Sequence, residues 1–182
     1  LIYDSILNNN CNLLDKFVNK VRYDDITKLS EEININKLEC TNSKNFNLVK
    51  ALSFKNNLEI NQAFNLLSKL CTENVKHSCF VLSDMYLTNN LPKSQSFLEE
   101  DDLILTAIDL LNRSIGNGNI DAYIPLAELM LANNKDVSKA KELLDIAVSK
   151  GEFDGLYLKS WYDIKQRGIF SGSEKTCKPL RL

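Results

Sequence analysis

The side chains best suited to chemistry are few enough to weigh one by one. The chain holds a single histidine, His77, and five cysteines, Cys11, Cys40, Cys71, Cys79 and Cys177. Cys71, His77 and Cys79 fall close together and suggest the beginnings of a zinc site. A closed zinc site takes four ligands, however, and no second ligand pair lies nearby. His77 is therefore read as a residue at the start of a helix, and no metal is assigned. Nucleophilic catalysis is poorly served by one histidine, with no Gly-x-Ser-x-Gly elbow and no phosphate-cradling glycine-rich loop. The 24 acidic residues show no spacing that singles out an acid/base pair. A carboxylate-based hydrolase acting on cell-wall or sugar material stays as an alternative without a motif. No catalytic or cofactor-binding residue is assigned.

The elements that would position these residues can be bounded from composition. With 182 residues, 44% hydrophobic and 25% charged, the chain fits one globular domain. A net charge of −2 argues against a nucleic-acid or anionic-membrane binder, which needs a dense positive field. No apolar run approaches the roughly 18 residues of a membrane helix. Only six Gly and three Pro disfavour turn-dense β architectures. The chain starts at Leu1, as a processed or trimmed protein would, so the sequence does not tell whether a signal peptide came off.

Two registers repeat along the sequence. Asn-Asn pairs at 56–57, 89–90 and 133–134 are spaced by 33 and 44 residues. Ala63-Phe-Asn-Leu-Leu, Ala107-Ile-Asp-Leu-Leu and Ala140-Lys-Glu-Leu-Leu are spaced by 44 and 33. The difference places an eleven-residue insertion near 91–106. Each unit reads as two helices. In the first helix, Ala63, Leu66, Leu67 and Leu70 follow the i, i+3, i+4, i+7 stripe, and the other two copies repeat it. Gly118 and Gly151 end these helices in the left-handed conformation. The second helices begin at Asp121 and Asp154, whose carboxylates suit a helix start. Small residues Ser78, Ala122 and Gly155 follow, then the packing stripe of Leu82, Met85 and Tyr86, matched by Leu126, Leu129 and Met130. At 159, where Leu126 would recur, stands Lys159.

This pattern resembles the Sel1-like repeat, a relative of the tetratricopeptide repeat. The resemblance is clearest in Ala107–Asn134 and Ala140–Asp163, and weaker in Ala63–Asn90. It is faintest in Ser30–Asn57, where Ile33, Phe46, Val49 and Leu52 fit but the capping residues do not. It implies an all-α fold, a right-handed α-solenoid of about four helix-turn-helix repeats with capping helices. The single domain divides as capping helices 1–23, a degenerate repeat 24–57, a repeat 58–90, the loop insertion 91–106, repeats 107–134 and 135–168, and a tail 169–182. In 1–23, Leu7, Leu13, Leu14, Phe17, Val18 and Val21 form the apolar set.

Cys71 falls in the last turn of one helix and Cys79 in the first turn of the next, so a hairpin brings them within reach of a bridge. The spacing also resembles exported, cysteine-containing bacterial Sel1-repeat proteins. Two buried thiols are the alternative. A second bridge, Cys11–Cys40, would pin the N-terminal helices to the first repeat; Cys177 is left without a role.

The resemblance implies a non-enzymatic protein-protein interaction module. Its most concrete form is a periplasmic or secreted bacterial protein that binds a protein partner, as an immunity or inhibitor protein for a secreted toxin. An exported adaptor or virulence factor is the alternative, and a cytoplasmic location follows if the cysteines are reduced. Candidate contacts are the positions beside the packing stripe, which the repeat architecture turns toward an inner groove: Phe64, Asn65, Asp109, Asn112, Glu142 and Asp145. Phe97 in the insertion is a further candidate anchor. The acids among them favour a partner with a basic patch. The run Glu99, Glu100, Asp101 and Asp102 instead reads as the favourable acidic start of a helix. The partner's identity and the oligomeric state are not encoded in any motif.

Overall fold

The computed structural model describes residues 11–33, 40, 43–95, 97–133 and 135–166. Expectations for Leu7, Cys177 and the tail 169–182 lie outside the described residues. Those residues form nine α-helices and no strand. They fall into two compact units, 1–122 and 123–182.

The first unit holds α1 (Cys11–Lys20), α2 (Tyr23–Glu32), α3 (Lys44–Asn56), α4 (Ile60–Thr72), α5 (Ser78–Leu87) and α6 (Glu100–Gly116). From α2 onward each helix packs on the next, and α1 packs on α3. Leu14 and Val18 give α1 its buried face, and Ile26 and Leu29 give α2 its own. Ile33, Phe46, Val49 and Leu52 of the faintest repeat are all buried. That repeat also has a helix cap the sequence reading missed: Ser43 accepts the amide N–H of Phe46 at 2.9 Å. A short 3₁₀ turn, Lys93–Gln95, precedes α6.

The second unit holds α7 (Tyr123–Ala132), α8 (Val137–Ser149) and α9 (Asp154–Gln166). Here α8 packs on both of its neighbours and α9 also touches α7. Its core is Leu126, Ala127, Met130, Leu131, Ala140, Leu143, Leu144, Ala147, Leu158 and Tyr162. Gly155 has a steric role: a Cβ there would stand 3.1 Å from both the Leu144 carbonyl oxygen and Val148 Cγ2. Its hydrogen lets α9 lie close against α8.

The first helices of the three repeats end in one geometry. The N–H of Val75 bonds the Leu70 carbonyl at 3.0 Å, that of Asn119 bonds Ser114 at 3.1 Å, and that of Glu152 bonds Ala147 at 2.9 Å. These are the long bonds of the Schellman motif. Between them stand left-handed residues Asn74 (φ 57°), Gly118 (φ 78°) and Gly151 (φ 94°). Asparagine tolerates that conformation better than other non-glycine residues, so the repeat without a linking glycine closes the same way.

Three details of the repeat reading are corrected. First, the Asn-Asn pairs are not structurally equivalent. Asn56 is the last residue of α3, whereas Asn89 (φ 51°) is the left-handed residue after α5; in α3 that place belongs to Leu58 (φ 62°). Second, α6 has 17 residues against 13 in α4 and α8. Part of the insertion is thus an extra helical turn, and Glu100, Asp101 and Asp102 lie in its first turn. The rest of the described insertion lies before α6 and includes the 3₁₀ turn Lys93–Gln95. Third, the second-helix stripe slips by one residue. Leu126, Ala127 and Met130 are buried and Leu129 is only half-buried. The equivalent of Leu126 in α9 is Leu158, not Lys159, and that of Met130 is Tyr162. The extra residue lies between Ala122 and Leu126, where the 3₁₀ turn Ile120–Ala122 runs into α7.

Candidate functional site

The structure joins Cys71 to Cys79, with Cα atoms 4.7 Å apart, and Cys11 to Cys40, with Cα atoms 5.5 Å apart. The first bridge closes the α4–α5 turn. Its surroundings are polar: Arg113 Nη2 donates to the Cys71 carbonyl oxygen at 3.2 Å, and Asn117 Nδ2 approaches Cys79 Sγ at 3.7 Å. Both sulfurs are taken up in the bridge and are not thiolates that could hold zinc. The second bridge ties the start of α1 to the segment before α3. There the Ser43 hydroxyl donates to Asp15 Oδ1 at 2.5 Å, and Asn45 Nδ2 donates to the Asp15 carbonyl at 3.4 Å.

Beside the first bridge lies a buried polar cluster. His77 is 1% exposed and left-handed, with φ 70°. It holds the N-cap position of α5 without a side-chain capping bond. Its Nδ1 stands 3.5 Å from Asp121 Oδ2 without a well-formed hydrogen bond to it, and a weak hydrogen bond with the Val21 backbone favours the charged ring only slightly. Burial, aided by the charges of Lys76 and Arg22, lowers its pKa to about 3. His77 is neutral at ordinary pH.

Asp121 was expected to cap α7. Its carboxylate instead accepts the amide N–H of Tyr23 at 3.1 Å and pairs with Arg22 Nε. Tyr23 opens α2, and Arg22 before it supplies no side-chain cap. Asp121 therefore caps a helix about a hundred residues away, with its charge at the positive end. Asn119, fully buried, fixes this turn: its Nδ2 donates to Ser114 Oγ at 3.0 Å and its Oδ1 accepts the Asp121 N–H at 3.2 Å. Lys76 donates to the Asn19 carbonyl near the end of α1 at 3.1 Å. Together these groups clamp the N-terminal helices onto the α4–α5 turn, through Lys76, and onto the turn that follows α6, through Asp121. The sequence carried one signal for this, the missing acceptor at the start of α2.

The candidate contact residues are dispersed. In the first unit Phe64 is half-buried and tilts against Tyr86 at 6.0 Å. Asn65 and Asp109 are exposed. Asn112 is half-buried and donates to the Ile108 carbonyl at 2.8 Å. In the second unit Glu142 is exposed, while Asp145 pairs with Lys159 at 2.6 Å. That pair explains why a lysine can stand at 159. Phe97 is 87% exposed. A shallow open cleft of about 510 Å³ lies where the α3–α4 turn meets the start of the insertion. Leu58, Ile60, Leu91 and Pro92 give it an apolar lining, with Glu59 and Lys93 at hand. Leu58 is 78% exposed although its positive φ strains a leucine. Neither Leu58 nor the cleft was singled out from the sequence.

Fold and site together define an all-helical hairpin protein with two disulfide-joined cysteine pairs. No family model matches the chain, and neither the curated proteins nor the solved structures searched yield a similar one. No described helix is long and apolar enough to cross a membrane.

Proposed function

We propose that this chain is a non-enzymatic protein-binding module of Sel1-like hairpins stacked as a right-handed α-solenoid. It works in an oxidising compartment, periplasmic or secreted, and binds a protein partner as an immunity or inhibitor protein does. The recurrence of one hairpin ending in three chain-registered copies supports the repeat reading. Two bridged cysteine pairs support the compartment. The observation that carries binding is the pair of exposed apolar side chains in the first unit. Leu58, 78% exposed, lines the cleft, and Phe97, 87% exposed, follows its Leu91–Lys93 wall in the chain. An exposed strained leucine and an exposed phenylalanine do little for folding, and both suit an anchor for a partner. Asp109 on α6 and Glu142 and Asp145 on α8 add acidic character that selects a basic partner.

The test is a binding titration against the captured partner. Reversing Asp109, Glu142 and Asp145 to Lys weakens affinity and flattens its salt dependence while helicity is kept. The Asp145–Lys159 pair lost in the process is exposed and contributes less than about 1 kcal/mol. Deleting 92–98 weakens binding independently. Unaltered affinity and salt dependence in the charge-reversed protein would reduce the acids to a solvated face.

A further inference from the structure

Helix α9 is apolar on two sides. One side, Gly155, Leu158 and Tyr162, is buried in the second unit. The other carries Phe153, Leu156, Tyr157, Trp161 and Ile164, with Ser160 between them. These positions follow i, i+3, i+4, i+8, i+11, one continuous helical stripe. Phe153 is 70% exposed, Leu156 50% and Tyr157 58%. Trp161 and Ile164 are half-buried.

The equivalent stripe in the first unit is covered. Gly155 matches Ser78, so Leu156 matches Cys79 and Tyr157 matches Phe80. Cys79 is 1% exposed, with Asn117 of α6 at its sulfur, and Phe80 meets Tyr23 of α2 edge-on at 5.0 Å. A helix apolar on several sides is ordinarily a buried one. The α9 stripe departs from that rule.

We propose that this stripe is a self-association surface on which α9 packs antiparallel against α9 of a second copy about a two-fold axis. Charge placement selects this occupant. Asp154 and Lys165 each come one residue after a stripe position, Phe153 and Ile164, and so lie on the same flank of the helix. Antiparallel pairing sets Asp154 of each copy beside Lys165 of the other and opposes the two helix dipoles. Lys165 sits over the Trp161 ring at 5.2 Å, which keeps its ammonium at the edge of the stripe. Covering the exposed parts of these side chains removes on the order of 300–400 Å² per copy. A stable dimer buries roughly 800 Å² per partner. The contact is therefore the centre of a weak, reversible dimer with a Kd on the order of 10–100 µM.

Sedimentation equilibrium of the 182-residue chain tests it, with concentrations spanning about a decade on either side of that Kd. The expected result is a monomer–dimer equilibrium that Leu156→Glu abolishes with the circular dichroism unchanged. Asp154→Lys weakens the dimer roughly 3–10-fold, and adding Lys165→Asp restores it. That rescue requires the two residues to meet across copies and does not depend on how the stripe variants fold. A chain that stays monomeric throughout would overturn the proposal, whatever covers the stripe. So would a dimer indifferent to Leu156→Glu, or a double charge swap weaker than the single one.

Discussion

Lowering the pH from 7.5 to 5 should destabilise this protein through one residue, His77. In the unfolded chain a histidine titrates near 6.5; in the native cluster burial lowers His77 to about 3. Below pH 6.5 the unfolded state binds a proton that the native state refuses, so stability falls with pH until the native pKa is reached. Those two values correspond to about 2 kcal/mol lost at pH 5. The Asp121 carboxylate, 3.5 Å from Nδ1, works against the shift because it would attract the imidazolium. We therefore expect a loss of about 1–2 kcal/mol at pH 5. This pH lies above the ordinary carboxylate range, about 3.9–4.3, which separates His77 from most of the acids.

Two measurements read the effect. Urea unfolding at several pH values gives the stability, and His77→Asn supplies the control. Asparagine tolerates the left-handed backbone at φ 70° and does not titrate. The wild-type protein should lose stability between pH 7.5 and 5 while the variant stays nearly flat. Because His77 is the only histidine, its ring protons give one NMR titration curve, expected to show no inflection near 6.5 in the native state. An inflection there, or equal slopes in the two proteins, would refute the buried, uncompensated histidine.

Two further outcomes follow from other parts of the structure. The Cys11–Cys40 bridge spans 29 residues and the Cys71–Cys79 bridge spans 8. Loop entropy makes replacement of the first pair by Ser cost about 3–4 kcal/mol and of the second about 2–3 kcal/mol. Urea midpoints of the two double variants check that order. Leu58→Gly removes a leucine held at φ 62° and should stabilise the chain by up to about 1 kcal/mol. It should also weaken partner binding if Leu58 is an anchor; a stabilised variant with full affinity would take Leu58 out of the interface.

The first helices of the repeats were legible because one local rule wrote them. Ala63, Ala107 and Ala140 each open an apolar stripe that packing must bury, and Gly118 and Gly151 mark the ends. The Asn-Asn register misled because asparagine suits several places at a helix end, so Asn56 and Asn89 look alike in sequence while standing at different positions. The slip from Lys159 to Leu158 arises from one extra residue before Leu126, which a fixed period of 33 cannot register. Asp121 was assigned to the nearest helix, as local spacing invites. Its actual work at Tyr23 depends on the chain returning to its own N-terminal helices, and no local pattern encodes that. The cleft beside Leu58 was hidden for the same reason: the α3–α4 turn and Leu91–Lys93 become neighbours only once α4 and α5 have folded back on each other. Phe97 could be picked out because its segment breaks the repeat.

The polar clamp also bears on how α1 and α2 are held within the first unit. They receive ties of three kinds: the Cys11–Cys40 bridge, the Asp121 cap on α2 and the Lys76 bond to the Asn19 carbonyl. The ties join chain segments far apart in sequence, so each removes entropy from the unfolded chain or satisfies a helix-end group that local sequence leaves open. In the second unit α9 has its core face packed and a second apolar stripe open. The first unit holds its early helices by covalent and polar groups within the chain, and α9 presents the apolar surface that we propose a second copy covers.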